Sequence, residues 1–309
     1  MTSPEPDASP ALRIPANGRL DPQLALSILA AHAIPDVDER VGAEHRRPIL
    51  VAGRPRVLGL RFTEEAVLVR PVAGPLAPRD EADVVALIRR WFDLDLDLGP
   101  VNALLAEDPL LAPLVARRPA LRRVGYPDAF EAAATTVLGQ QVSVAAMRTF
   151  AGRLVARWGG PAVNGLRPFP RPAAIAGVPE DELQAAIGLT GARTRTLRAV
   201  AAAFDNAPGA DGDGGIPAGG DTAADAGPAG TVPLTRAELL ALPGIGPWSA
   251  DYLEVRARLD PDAFAPGDLV LRRALGRIGA REAEARAEAW RPYRAHALFH
   301  LWTAEAYDR

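Results

Sequence analysis

The stretch Leu242-Pro243-Gly244-Ile245-Gly246-Pro247 limits the fold more than any other part of the chain. Two glycines flank one aliphatic residue between two segments with helical apolar spacing, Thr235 to Leu242 and the run from Pro247. Glycine permits positive φ and close backbone approach, and proline suits the first helical turn because its missing N–H has no intrahelical partner there. The pattern predicts a helix-hairpin-helix. A hairpin without side-chain bulk, facing a helix start, offers N–H groups to an anion, so Gly244, Ile245 and Gly246 are candidate contacts for a phosphate backbone, held without reading sequence. For these five residues alone, an ordinary tight turn between packed helices is the alternative. Twenty-two residues past Gly246 stands Asp268, after Pro266-Gly267 and before the apolar run Leu269 to Leu275, where a helix N-cap belongs.

Composition removes several rival chemistries. The 309 residues include no cysteine, which excludes disulfides, thiolate metal sites and a cysteine-ligated iron-sulfur cluster. All 35 basic residues are Arg, so no Lys amine is present to form a Schiff base with a sugar. No N-terminal run resembles a signal peptide and no stretch nears the roughly 18 apolar residues of a membrane span, giving the expectation of a soluble, cytoplasmic chain. The net charge of -3 sits awkwardly with a nucleic-acid partner, whose affinity comes largely from neutralised phosphates. The charge is unevenly spread, however. Residues 1–120 hold 14 Arg and 17 acids, and 206–231 hold four Asp and no Arg, whereas the remainder holds 21 Arg and 17 acids. The part carrying the hairpin is weakly basic, and backbone amides must supply some of the grip.

In chain order, residues 1–15 are polar and Pro-rich and are expected to be disordered. Leu20 to Ala33 has helical spacing, Arg47 to Ala52, Val57 to Phe62 and Ala66 to Pro71 read as an antiparallel meander, and Arg79 to Phe92 as an amphipathic helix. Asp93, Asp95 and Asp97 alternate as in a calcium loop, but Leu98 and Leu104 replace its Gly and closing Glu, so solvated acids are expected. From Tyr126 onward the chain reads as helices. Asp128 and Glu131 have capping-box form, and Ser143 caps a further helix to Trp158. Between them lies the polar turn Gly139-Gln140-Gln141, which on its own can be no more than a loop. Residues 206–231 are almost wholly Ala, Gly, Asp and Pro and are expected to form a flexible insertion. His296 and His300 stand four apart, but Ala297 occupies the place of a zinc-protease Glu and no third ligand is apparent, so core packing or a side-chain hydrogen bond is expected.

Three segments together carry a resemblance: the hairpin with Asp268, Phe130-Glu131 with Val137-Leu138-Gly139-Gln140-Gln141-Val142-Ser143, and Trp290-Arg291-Pro292-Tyr293-Arg294 through His300-Leu301-Trp302. The chain resembles the helix-hairpin-helix DNA glycosylases, and among them the bacterial 3-methyladenine glycosylase II (AlkA) type, over nearly its whole length. The resemblance implies an α+β fold. A small antiparallel sheet domain with helices (16–118) would precede a two-lobed, all-α glycosylase core (119–309). It implies Asp268 as catalytic residue, Trp248, Tyr252 and Trp302 around an everted base, and Gln140 and Gln141 in the segment that enters the minor groove. Gln141 stands where some relatives carry an aliphatic wedge, so the identity of the wedge stays open. In lyase members the Schiff-base Lys falls where Trp248 stands, which agrees with the absence of Lys. Asp251 stands where relatives often have Asn and receives no role. The implied activity is monofunctional base excision repair, releasing alkylated bases such as 3-methyladenine and 7-methylguanine from duplex DNA by hydrolysis, as a monomer, in the cytoplasm, without metal or cofactor.

The chemistry suits those residue types. Breaking the bond between base and deoxyribose passes through an oxocarbenium-like sugar that a fixed carboxylate stabilises. Asp268 at a helix N-terminus is placed to act as that carboxylate. An N-alkylated purine already carries positive charge, leaves without a strong acid, and is attracted by aromatic faces at about 0.5 to 2 kcal/mol per contact. The bland reading of the three aromatics is core packing. Two other classes stay open: a non-catalytic hairpin module that only binds DNA, and a glycosylase for another damaged base.

Overall fold

The computed structural model describes residues 12–207 and 232–306. Strand β1 (Leu12–Pro15) leads through helix α1 (Pro22–His32) to β2 (Glu39–Val41), β3 (Glu44–Val51), β4 (Arg54–Phe62) and β5 (Ala66–Pro71). The five strands form one antiparallel sheet in the order β1-β5-β4-β3-β2. Three strands lie where the alternating runs predicted them, and the two edge strands are additions. Leu12–Pro15, expected to be disordered from its composition, instead pairs with β5 from Leu12↔Val69 to Pro15↔Ala66. Its order comes from a partner 57 positions along the chain, which no local composition records. Strand β2 is exposed throughout and so carries no apolar alternation. The rest of the expected disordered start, residues 1–11, and residues 208–231 of the expected insertion lie outside the described residues.

Helices fill the remainder: α2 (Pro78–Trp91), α3 (Leu98–Leu105), α4 (Ala112–Arg117), α5 (Ala129–Gly139), α6 (Val144–Trp158), α7 (Pro172–Ala176), α8 (Glu180–Ile187), α9 (Gly191–Asp205), α10 (Arg236–Ala241), α11 (Pro247–Leu253), α12 (Leu269–Ala274), α13 (Ala280–Ala287) and α14 (Arg294–Ala306). A π-helical turn, Glu254–Arg258, prolongs α11. The starts of these helices follow from their caps. Asp128 accepts from Glu131 N, Ser143 accepts from Ala146 N, and Thr235 with Glu238 forms a reciprocal capping box. Each such cap contributes about 1 kcal/mol. Helix α8 stops at Gly188, whose φ of 83° suits a residue without Cβ.

Two hydrophobic cores hold the molecule, and neither follows chain order. The first joins the sheet (Leu58, Leu60, Val69) and α2 (Val84, Ile88, Trp91) to the C-terminal helices through Leu271, Trp290 and Leu298. The second joins α5, α6, α8, α9 and α11, and takes in Ile34 and Val37 from the loop after α1. The end of the all-α part therefore shares its interior with the sheet. The π turn spans both cores, with Val255 in the first and Ala257 in the second.

A buried polar network crosses from sheet to helices. Arg47 of β3 lies 2.5 Å from Glu131 of α5 and 3.4 Å from Asp38, and His45 lies 3.1 Å from Asp38. Burial pushes the Glu131 carboxyl up to about 7 against the pull of Arg47. Asp93 corrects an expectation: it is not a solvated acid but a mostly enclosed one, accepting from Arg123 at 2.8 and 3.1 Å, with His296 of α14 at 3.2 Å. Burial works against that carboxylate, and His296 and Arg123 outweigh it and hold its pKa below the usual range. His296 is thus a buried core residue beside Asp93, the core packing that was one of the two expectations. No group of three or more His, Cys, Asp or Glu among the described residues could hold a metal.

Candidate active site

Asp268 caps α12. Its Oδ1 accepts from Val270 N and Leu271 N, each at 2.9 Å, as an N-cap side chain does. The same oxygen also accepts from Trp302 Nε1 at 2.9 Å, and Oδ2 accepts from Trp248 Nε1 at 3.0 Å. All four donors are neutral N–H groups. Oδ1, with three donors, is saturated, whereas Oδ2, with one, keeps lone-pair capacity for a further partner. The carboxylate is largely buried yet borders a cavity of about 280 Å³.

The cavity wall is aromatic. Trp248, Tyr252 and Trp302 stand in a row, with centroids 5.4 Å apart for the first pair and 5.8 Å for the second. Trp248 and Tyr252 come from successive turns of α11, and Trp302 from α14 across the cleft. Burial, with a hydrogen bond to Tyr126 among lesser causes, raises the Tyr252 phenol far above its usual range, so it stays a neutral hydroxyl. The structure thus brings Asp268 and the three aromatics that the resemblance implied, Trp248, Tyr252 and Trp302, into one cavity. Their shared hydrogen bonds were not foreseen: the two indoles orient the carboxylate as well as lining the wall.

The hairpin residues divide by role. Gly244 has φ +79°, and a Cβ there would lie 2.0 Å from Thr196 Oγ1, so only glycine fits. A Cβ at Gly246 would meet nothing within 4 Å, which leaves open space before the first turn of α11. The Ile245 side chain is buried in the second core and its N–H bonds Leu242 O, so that N–H is already engaged within the hairpin. Gln140 is engaged inside the protein. Its Nε2 donates to Gly244 O at 3.0 Å and Ser249 Oγ at 3.1 Å, tying the α5–α6 turn to the hairpin. Gln141 is exposed, with φ 57°. Asp251, given no role, pairs with Arg236 at 2.7 Å.

Three further cavity residues escaped the sequence reading. Arg256, on the π turn, lies 5.1 Å from the Tyr126 ring centre, 5.8 Å from Tyr252 and 5.6 Å from Phe299. Tyr126 itself precedes α5, and His32 ends α1 of the sheet part. The π turn closes α11 ahead of the left-handed Leu259, and nothing in the sequence signals it.

Comparison with known proteins agrees with this geometry. The family model for HhH-GPD superfamily base excision DNA repair proteins matches residues 134–294, and that for the AlkA N-terminal domain matches residues 8–128. The chain is 32% identical over 300 residues to a probable bifunctional transcriptional activator/DNA repair enzyme AlkA of Mycobacterium tuberculosis (strain ATCC 25618 / H37Rv), covering 94% of this chain but 56% of that protein. It therefore spans little more than half the length of that relative. It is 29% identical over 296 residues to DNA-3-methyladenine glycosylase 2 of Escherichia coli (strain K12), covering 92% and 93% of the two chains. Among solved structures, a 3-methyladenine DNA-glycosylase from Archaeoglobus fulgidus shares the fold at a TM-score of 0.77 and 21% identity, covering 96% of this chain and 99% of that one.

Proposed function

Since the chain belongs to the HhH-GPD base excision DNA repair superfamily, we propose that it is a monofunctional DNA glycosylase that everts alkylated bases from duplex DNA and releases them by hydrolysis. The observation that carries this reading is Asp268, a carboxylate fixed by four neutral donors at the edge of an aromatic cavity. A damaged base leaves the stack and enters between the rings of Trp248, Tyr252 and Trp302. Its glycosidic bond breaks with the electron pair going to the base, and positive charge develops at C1′ of the sugar. Oδ2 of Asp268 faces that charge, since it alone has capacity left. The alkylated base leaves neutral, and water bonds to C1′ and gives up one of its two protons to solvent, leaving an abasic site in an uncut strand. With 35 Arg and no Lys, the chain has no side-chain amine for strand cleavage through a Schiff base.

The hairpin supplies the grip on DNA: Gly246 leaves room for a phosphate, and Gln140 fixes the hairpin against the turn bearing Gln141. Double-stranded DNA is the partner, a monomer suffices for one everted base, and neither metal nor cofactor takes part. No helix among the described residues is long and apolar enough to cross a membrane, and the chain works in the cytoplasm, at the nucleoid through its DNA.

The test is single-turnover release of 3-methyladenine and 7-methylguanine from methylated duplex, comparing the intact protein with Asp268→Asn. The intact protein releases bases and leaves a strand that breaks only on alkaline treatment, and the variant is slower by about 10³-fold. Release by neither protein, with equal duplex affinity, would reduce the hairpin to a handle for DNA.

A further inference from the structure

His32 stands apart from the other cavity residues because it comes from the sheet part of the molecule. It is the last residue of α1, which brings Ile28 and His32 to the lining of the cavity. Its Nδ1 lies 3.0 Å from Ile28 O, one turn back. A carbonyl oxygen only accepts, so Nδ1 must carry the proton of a neutral ring. The two ring nitrogens diverge, and Nε2 with its lone pair is then left on the side away from the helix. Resting on the reading of this cavity as a base pocket, we infer that His32 is a specificity residue: its Nε2 accepts a hydrogen bond from the exocyclic amino group of a 6-amino purine and disfavours a 6-oxo purine.

The surroundings support a neutral acceptor. Burial first and Arg256 second lower the His32 pKa to about 4, against the hydrogen bond to Ile28 O, with Arg148 and Asp38 contributing less in opposite directions. At neutral pH the ring therefore carries no charge and one lone pair. An oxygen at position 6 would set lone pair against lone pair in a site walled by rings, where an unmatched polar group is costly. An amino group at the same position completes the bond. The apolar neighbour Ile28 and the rings supply contact but no preference between the two edges. This gives the sheet part a role in recognition that its position in the chain does not suggest.

Three bases test the inference, 3-methyladenine, 3-methylguanine and 3-methylhypoxanthine, which carry the methyl group at the same ring position. The two 6-oxo bases differ from each other only in the 2-amino group of guanine, so an effect of position 6 must appear with both. On the full chain, calorimetric titration with each free base is paired with single-turnover release of the first two from methylated duplex. His32→Leu should lose about fivefold to tenfold in affinity and release for 3-methyladenine, the worth of one hydrogen bond, and less than about twofold for either 6-oxo base. His32→Gln, whose amide oxygen accepts, should recover most of the difference. In the unsubstituted protein, the Nε2 nitrogen resonance of His32 should have the position of an unprotonated nitrogen and move with 3-methyladenine but not with either 6-oxo base. An equal loss for either 6-oxo base, no loss for any base, or a protonated Nε2 would overturn the inference. If 3-methyladenine binds through His32 but no base is released, the glycosylase reading fails and this inference stands. If release proceeds with an unchanged ratio in His32→Leu, the reverse holds, and absence of both binding and release overturns both.

Discussion

Two buried carboxylate sites in this molecule are built on opposite plans. Asp38 and Glu131, between the sheet and α5, face Arg47 at 3.4 and 2.5 Å. Asp268, at the cleft, is held by two indoles and two backbone amides, all uncharged. An arginine neutralises the acid it touches, which suits an interior that must only stay assembled. Neutral donors hold an acid in place without cancelling its charge, which suits a group that must stabilise a cation arriving from outside. The structural site spends its negative charge inside the protein, whereas the cleft keeps it for the substrate.

Substitutions at the two sites should separate these plans. The largest effect is expected for Asp268→Asn, which retains a capping side chain and so should change stability by no more than about 1 kcal/mol while base release falls by about 10³-fold. Parallel denaturant titrations and single-turnover assays check this. A variant that loses stability and activity together would put Asp268 with the structural acids. Arg47→Met should do the opposite, costing about 3 to 5 kcal/mol of stability by leaving carboxylates buried without a cation, with the activity of the folded fraction retained.

The Arg47→Met loss should also depend on pH. Glu131 already has a folded-state pKa of about 7, above the ordinary 4.5, so the folded state binds the extra proton between those values and its contribution to stability falls as pH rises through them. Without Arg47 the carboxyl is raised further, so the deficit measured at pH 8 should exceed that at pH 5. A pH-independent deficit would show that the proton on Glu131 is not what limits the site.

Smaller effects sharpen the picture of the cleft. Trp248→Phe and Trp302→Phe keep a ring but remove a donor to the carboxylate, and each should slow release by about 10- to 100-fold, as for hydrogen bonds to charged groups. Equal rates would mean that the amides alone position Asp268. The smallest change is expected at Gly246→Ala, which has open space and should leave stability alone while weakening duplex affinity by about threefold if a phosphate sits there, less than one hydrogen bond to a charged group. Gly244→Ala should instead destabilise the fold, because its Cβ would meet Thr196.

What could be read from the sequence was local. The hairpin, the cap at Asp268, the caps at Asp128 and Ser143 and the three central strands each show in a few consecutive residues, because cap chemistry and alternation act over that range. The aromatic wall was readable only through resemblance, since nothing in the spacing of Trp248 and Tyr252 distinguishes a pocket from a core. The remainder depends on contacts far along the chain. Asp93 looks solvated until Arg123 and His296 fold onto it. Leu12–Pro15 looks disordered until β5 is present. His32 reads as one polar residue at the end of a helix, and Arg256 as one charge among many, until two cores bring them to the same cavity.

The π turn at Glu254–Arg258 can also be viewed as a matter of angular phase. In an α-helix each residue advances the side-chain direction by about 100°, since 3.6 residues complete a turn. The wide turn shifts that phase between Trp248 and Tyr252 on one side and the chain leading to Asp268 on the other. Removing a single residue from it, so that the segment relaxes to a plain α-helix, would rotate α11 by about 100° against everything that follows. Every residue of the wall would still be present in the chain, yet the rings would be turned away from the carboxylate they now hold.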